Sequence, residues 1–140
     1  MGWENCHLYL YEIEKTLYSD YPEEWDMEVI DSKKVTLEKI FGQGTRSFTY
    51  EYDMGDGWRH DITFLKEVES EGNEKPACIA GTRACPPEDC GGPPGYEYFL
   101  EAITDSSHED HDEMLAWIGG SFNPEYFNLE ETNKAVKQVR

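Results

Sequence analysis

The sequence predicts an α+β fold, with an antiparallel β-sheet in the first half of the chain and helices in the second. Three observations carry this reading. "RSFTYEYD" (46–53) and "WRHDITFLKEV" (58–68) alternate with the two-residue period of a strand. Between them "MGDG" supplies two glycines for a tight turn, so the pair forms a β-hairpin, expected at the centre of the sheet. Farther on, Tyr96, Phe99, Leu100 and Ile103 recur at helical spacing. Strands first and helices last is the order of an α+β domain, with the C-terminal helices expected to pack on the sheet.

Taken in order, "CHLYLYEIE" (6–14) is rich in Tyr, Leu and Ile and reads as a strand. "YPEEW" then turns the chain, and "MEVI" forms a short edge strand. "VTLEKIFGQG" is a short helix: Thr36 caps it, Leu37, Ile40 and Phe41 share a face, and Gly42 stops it. In the hairpin, Phe48, Tyr50 and Tyr52 line one face of the first strand, and Trp58, His60, Ile62 and Phe64 one face of the second. "ESEGNEKP" (69–76) is a polar loop. Three helices follow. The first carries the Tyr96 stripe, opened by Gly95-Tyr96. The second covers about 108–118, with Ser106 or Ser107 as cap, Met114, Leu115 and Ile118 inward, and Gly119-Gly120 at its end. The third starts near Leu129 and carries Val136 and Val139.

The 140 residues make a single domain over 1–140, and an aromatic content of 14% marks a chain that folds. No apolar run approaches the ~20 residues of a membrane span, and the N-terminus lacks the layout of a signal peptide. A soluble, cytoplasmic protein with no membrane association is expected. Thirty acidic residues against 12 basic give a formal charge of -18, and no Lys or Arg stands between Arg83 and Lys134. Such a surface repels phosphate backbones, so nonspecific nucleic-acid binding is disfavoured. The basic group Lys33, Lys34, Lys39 and Arg46 is small.

Four places concentrate chemistry. Cys78, Cys85 and Cys90 would bind zinc if a histidine, His60 or His7, completed the tetrahedron. Their spacing is looser than the usual paired-cysteine knuckles, so packing as small hydrophobes is the preferred alternative. In "DMGDGWRHD" (53–61), Asp53, Asp56 and His60 beside Trp58 form either a metal or acid–base cluster, or an aspartate-capped turn with a satisfied histidine. In "PPEDCGGPPGYEYF", Glu88 and Asp89 offer carboxylates to a cation or to backbone amides, and they stand against phosphate binding at the glycines. "DSSHEDHDE" (105–113) clusters His108 and His111 with five carboxylates, best read as a helix start. No serine-hydrolase elbow, zinc-protease or dinucleotide motif is present.

"YEYDMGDGWRHDI", "KPACIAGTRACPPEDCGGPPGYEYFLEAI" and "GGSFNPEYFNLEETN" resemble the plasmid pRiA4b ORF-3-like family across nearly the whole chain. The resemblance implies an α+β fold and an association with mobile genetic elements, and it carries over no catalytic residue. In that family "MGWENCHLYLYEI" resembles an internal segment preceded by a strand and a helix, so those elements are expected to be missing here. Open sheet surface would then drive self-association through the strand around Leu8 to Ile13. The function expected is a binding or adaptor-type domain for an unknown ligand or protein partner. The alternatives are a metal-dependent enzyme using Asp53, Asp56, His60, Glu88 and Asp89, and a DNA-associated recombination accessory, which the charge disfavours.

Overall fold

The structure, a computed structural model, describes residues 2–69, 72 and 75–138. The chain divides into two compact units. One comprises Asn5–Glu67 with Gly91–Pro93; the other comprises the N-terminal residues to Glu4, Val68–Cys90 and the chain from Pro94 onward.

The first unit carries the sheet. β1 (Tyr9–Ile13), β2 (Thr16–Ser19), β3 (Ile30–Asp31), β4 (Ser47–Tyr52) and β5 (Trp58–Thr63) lie in the order β3-β2-β1-β4-β5. All neighbours are antiparallel except β2 and β3, which run parallel. The β4–β5 hairpin is therefore not central: β5 closes one side of the sheet, because β1 pairs with the opposite side of β4. β5 also stops at Thr63 rather than running to residue 68. β1 is bonded on both sides, by β2 and by β4.

The turn after β1 comes earlier than the prolines and glycines suggest. Glu14 and Lys15 both take positive φ, 49° and 69°, and fold β2 straight back on β1. A two-residue hairpin of this kind is normally built from Asn and Gly, which is why β2 is hard to read in the sequence. Thr45 Oγ1 donates to the Glu14 carboxylate at 2.7 Å and helps to fix the turn. "YPEEW" becomes a single 3-10 turn, Pro22–Glu24, and the expected "MEVI" strand shrinks to Ile30–Asp31.

α1 (Leu37–Gly42) starts as expected, with Thr36 Oγ1 accepting from the Lys39 amide at 3.2 Å. Ile40 is buried and Phe41 half-buried, but Leu37 is 61% exposed and lies off the apolar face. Ile13, Ile40 and Phe48 form the core here, joined by Tyr11, Tyr18, Val35, Phe41 and Ile62. The expected basic group is largely neutralised: Lys33 and Lys34 pair with Asp20 and Asp31, and Arg46 lies over the Phe64 ring.

One face of this sheet is a field of aromatic rings. Tyr52 is opposite Trp58, Tyr50 opposite His60 and Phe48 opposite Ile62, while Tyr9 and Tyr11 pair with Tyr52 and Tyr50 from the other side. Ring centroids of Tyr50 stand 5.0 Å from Tyr11, 5.9 Å from Tyr9 and 5.4 Å from His60. Burial pushes the Tyr50 hydroxyl up to about 12 and also raises Tyr11. Tyr9 is raised by burial and by its hydrogen bond with Asp20. Asp20 is held below its usual range chiefly by the Ser32 hydroxyl, with which it makes a short hydrogen bond.

The second unit carries α2 (from Gly92 to Thr104, its first two residues lying with the sheet unit), α3 (His111–Trp117) and α4 (Leu129–Val136). The α2 stripe is as read: Phe99 and Ala102 are buried, and Tyr96, Leu100 and Ile103 are half-buried. Phe99 packs edge-on against Trp117 and Phe122, at 5.5 and 5.4 Å. α3 is not capped by Ser106 or Ser107. Asp105 instead accepts from the Ser107 amide and hydroxyl, closing a local turn, and Asp110 precedes the helix without a side-chain cap. Asn128 caps α4 by accepting from Glu130 N and Glu131 N. Val139, and Ser70, Glu71, Asn73 and Glu74 of the polar loop, lie outside the described residues.

Lys15→Gly is expected to raise the unfolding free energy by about 0.5–1 kcal/mol, the relief of a left-handed residue less the entropy of the added glycine. Denaturant titration would show it as a higher midpoint at unchanged slope. A phenol whose pKa is raised on folding stabilises the fold fully below its ordinary pKa of 10 and loses that contribution as pH rises towards about 12. Denaturation midpoints should therefore fall across that interval, and Tyr50→Phe should flatten the fall.

Candidate functional site

The hairpin loop is built around Asp53. This residue ends β4 with a left-handed φ of 55°, so the loop has five residues, Asp53 to Gly57, rather than four. Its amide donates to Leu8 O at 3.0 Å and its carbonyl accepts from Gly57 N at 2.6 Å. Oδ1 accepts from Gly55 N at 2.9 Å and Asp56 N at 3.3 Å, the aspartate-capped turn expected from the Asp-Gly spacing. Oδ2 faces His7 Nε2 at 3.6 Å, and Asp53 is 8% exposed. His7 in turn meets the Tyr52 ring edge-on, and the Tyr52 hydroxyl accepts from Cys6 N at 3.2 Å. The segment before β1 is thus tied to the end of β4.

Asp56 points its carboxylate elsewhere, to Gly91 N at 3.2 Å. Gly92, with φ 67°, sits so close that a β-carbon there would lie 2.1 Å from the Asp56 carbonyl oxygen. The two glycines of "PPEDCGG" are therefore read in physical terms: one supplies an amide and the other allows backbone to touch backbone. Trp58 and His60 lie on the half-buried face of β5, with His60 Nδ1 at 3.1 Å from Tyr50 O.

The rest of that loop belongs to the helical unit. Trp3 Nε1 donates to Pro86 O at 2.9 Å and Glu4 N to Glu88 Oε1 at 2.7 Å, so the N-terminal residues clasp the "PPED" turn. Asp89 follows with a left-handed φ of 56°. The Cys78 backbone is bracketed by the Asn133 side chain, which accepts from its amide at 2.8 Å and donates to its carbonyl at 2.9 Å. Cys78 Sγ lies 3.2 Å from Ala80 O. Burial pushes the Cys85 thiol up. Among the described residues, Cys78, Cys85 and Cys90 do not gather their sulfurs into a set of three ligand atoms, and no disulfide joins them. His108 and His111 are engaged locally, by the Asp110 amide and the Ala102 carbonyl.

The helical unit contains a cavity of about 340 Å³ between α2 and α3. Tyr98, Phe99, Met114 and Trp117 form apolar walls; Asp89, Cys90 and Glu113 supply polar atoms. Trp117 is 48% exposed. The Tyr98 hydroxyl makes a short hydrogen bond to Asp110, which raises its pKa to about 12 and holds the ring in place. Asp89 and Cys90 are among the candidate site residues singled out from sequence, and Phe99 and Met114 among the expected inward-facing ones. Trp117 and Tyr98 lie just off the apolar stripes of their helices, and that offset is the available signal: large aromatics beside a stripe line the crevice between two helices.

Gly92→Ala should cost about 2–4 kcal/mol, because it meets backbone and also occupies positive φ. Gly44→Ala, at φ 97° with nothing within 4 Å, carries the backbone term alone and should cost about 1–2 kcal/mol. Urea denaturation of the two variants would separate these contributions. The sequence profile described as plasmid pRiA4b ORF-3-like protein matches residues 1–131. The uncharacterised protein y4hQ of Sinorhizobium fredii is 41% identical over 141 residues, spanning 99% of this chain and 73% of its own length. The crystal structure of MM3350, a protein of unknown function from Methanosarcina mazei Go1, matches with a TM-score of 0.80 and 34% identity, over 94% of this chain and 76% of that one. With its profile match running through both units, this chain belongs to the plasmid pRiA4b ORF-3-like family.

Proposed function

We propose that the chain is a soluble, cytoplasmic binding or adaptor domain, and that its ligand seat is the cavity between α2 and α3. The observation that supports this is the lining: four large apolar side chains with carboxylates at Asp89 and Glu113, in a volume within the range of small-ligand sites. That chemistry suits a ligand with an apolar body and a cationic group, such as a basic side chain of a partner peptide or an organic amine. Trp117 and Tyr98 add aromatic rings to the same lining, the residue type that favours a nearby cation. A link to mobile genetic elements has only the plasmid origin in the family's description behind it.

The metal-enzyme reading has less support. Asp53 commits one carboxylate oxygen to the turn amides and the other faces His7, and His60 Nδ1 lies against the Tyr50 carbonyl. The DNA-accessory reading has the charge of -18 against it.

The binding reading is tested by screening small aromatic and aliphatic amines by ligand-observed NMR against wild type and Met114→Trp, which narrows the cavity with a larger side chain. Hits should bind wild type and lose at least about tenfold in the narrowed variant, while Glu113→Gln weakens only the cationic ones. Binding that is indifferent to Met114→Trp, or no binding by any member of the set, would count against the site.

A further inference from the structure

The sheet has two sides to its ladder, β3 and β5. β3 is two residues long and offers almost no template. β5 has six residues, contains no proline or lysine, and keeps unbroken register with β4 from Ser47↔Thr63 to Tyr52↔Trp58. The bond from Phe64 N to Arg46 O, 2.9 Å, fixes its parity: the even-numbered residues of β5 bond to β4. Arg59, Asp61 and Thr63 consequently direct their N–H and C=O groups outward. A regular edge of this kind, lacking the usual protective bulge, lysine or proline, is a ready partner for another strand.

We propose that β5 pairs antiparallel with β5 of a second copy of this chain, about a two-fold axis at His60. The side chains select the occupant and the register. Arg59 and Asp61 project from the exposed face, with side chains 61% and 84% accessible; they lie 3.8 Å apart, and Arg59 also donates to Thr49 Oγ1 at 3.1 Å. With the axis at His60, Arg59 stands opposite the partner's Asp61, and Asp61 opposite the partner's Arg59. The pair is therefore made twice. These are also the residues whose backbone groups face outward, so the side-chain pairs coincide with the hydrogen-bonded positions of the new ladder. Centring the axis on Arg59 or on Asp61 instead would oppose like charges. On the other face, Trp58 meets the partner's Ile62. Leu65, 84% exposed, follows just beyond β5. An isologous interface of this type closes on itself and yields a dimer with one continuous sheet.

Sedimentation equilibrium of the full chain tests this. Wild type should dimerise, and Arg59→Asp or Asp61→Arg alone should weaken association about tenfold or more, since each change places two like-charge pairs in the interface. The double swap R59D/D61R should restore the dimer, an outcome that a mere loss of folding would not give. Asp61→Asn, which removes the charge without reversing it, should fall between wild type and the single swap and keeps the test decisive if a swap misfolds. A wild-type monomer, whether its edge then lies open or is taken by another protein, overturns the proposal. A dimer indifferent to both single swaps, or not restored by the double, overturns it equally.

Discussion

The carboxylate of Asp53 is the contact on which the sheet unit depends most. It closes the hairpin through two amides, and its own amide and carbonyl continue the ladder to Leu8 and close the loop to Gly57. Because it faces His7 as well, the segment leading into β1 and the hairpin loop share one buried anion. An unpaired buried carboxylate would be costly, so these partners are as necessary to Asp53 as it is to them. Asp56, three residues on, has its amide fixed by that carboxylate and is thereby aimed at Gly91.

The tyrosine field across β1 and β4 answers a different need. Tyrosines bury large ring areas while keeping a polar end that must find a partner or reach water. Here Tyr9 finds Asp20 and Tyr52 finds Cys6 N, while the Tyr11 and Tyr50 rings lie 5.0 Å apart, tilted by 34°. The Tyr9–Asp20 contact adds a side-chain tie between β1 and the residue after β2, which also bonds Ser32. The helical unit uses aromatics in another way: Phe99, Phe122 and Trp117 meet edge to face and leave the opening that Tyr98 and Met114 border.

Much of this was legible in the sequence, and the parts that were not have identifiable reasons. The alternation in 46–53 and 58–63 and the Tyr96 stripe report directly on which side chains face inward, and both held, whereas the strand does not extend over 64–68. The Thr36 cap and the Asp53 turn were readable because their chemistry is local. β2 was missed because its turn uses Glu14 and Lys15 in a conformation usually given to Asn and Gly. The position of the hairpin at the side of the sheet was missed because strand order is set by long-range pairing, which periodicity does not encode. The cavity was only partly visible: Asp89 sits in a conspicuous motif, whereas Trp117 and Tyr98 fall beside their helical stripes and become neighbours only when α2 and α3 pack. The cysteine spacing, looser than a zinc knuckle, left packing as the preferred reading, and the Cys78 backbone is bracketed by Asn133, a long-range contact that spacing does not encode.

The clasp made by Trp3 and Glu4 on Pro86 and Glu88 has a consequence for synthesis. These hydrogen bonds join positions 83 and 84 residues apart, while the sheet unit occupies the chain between them almost without interruption. Strand pairing can therefore begin before the partners of Trp3 and Glu4 have been translated, and these two contacts form late in folding.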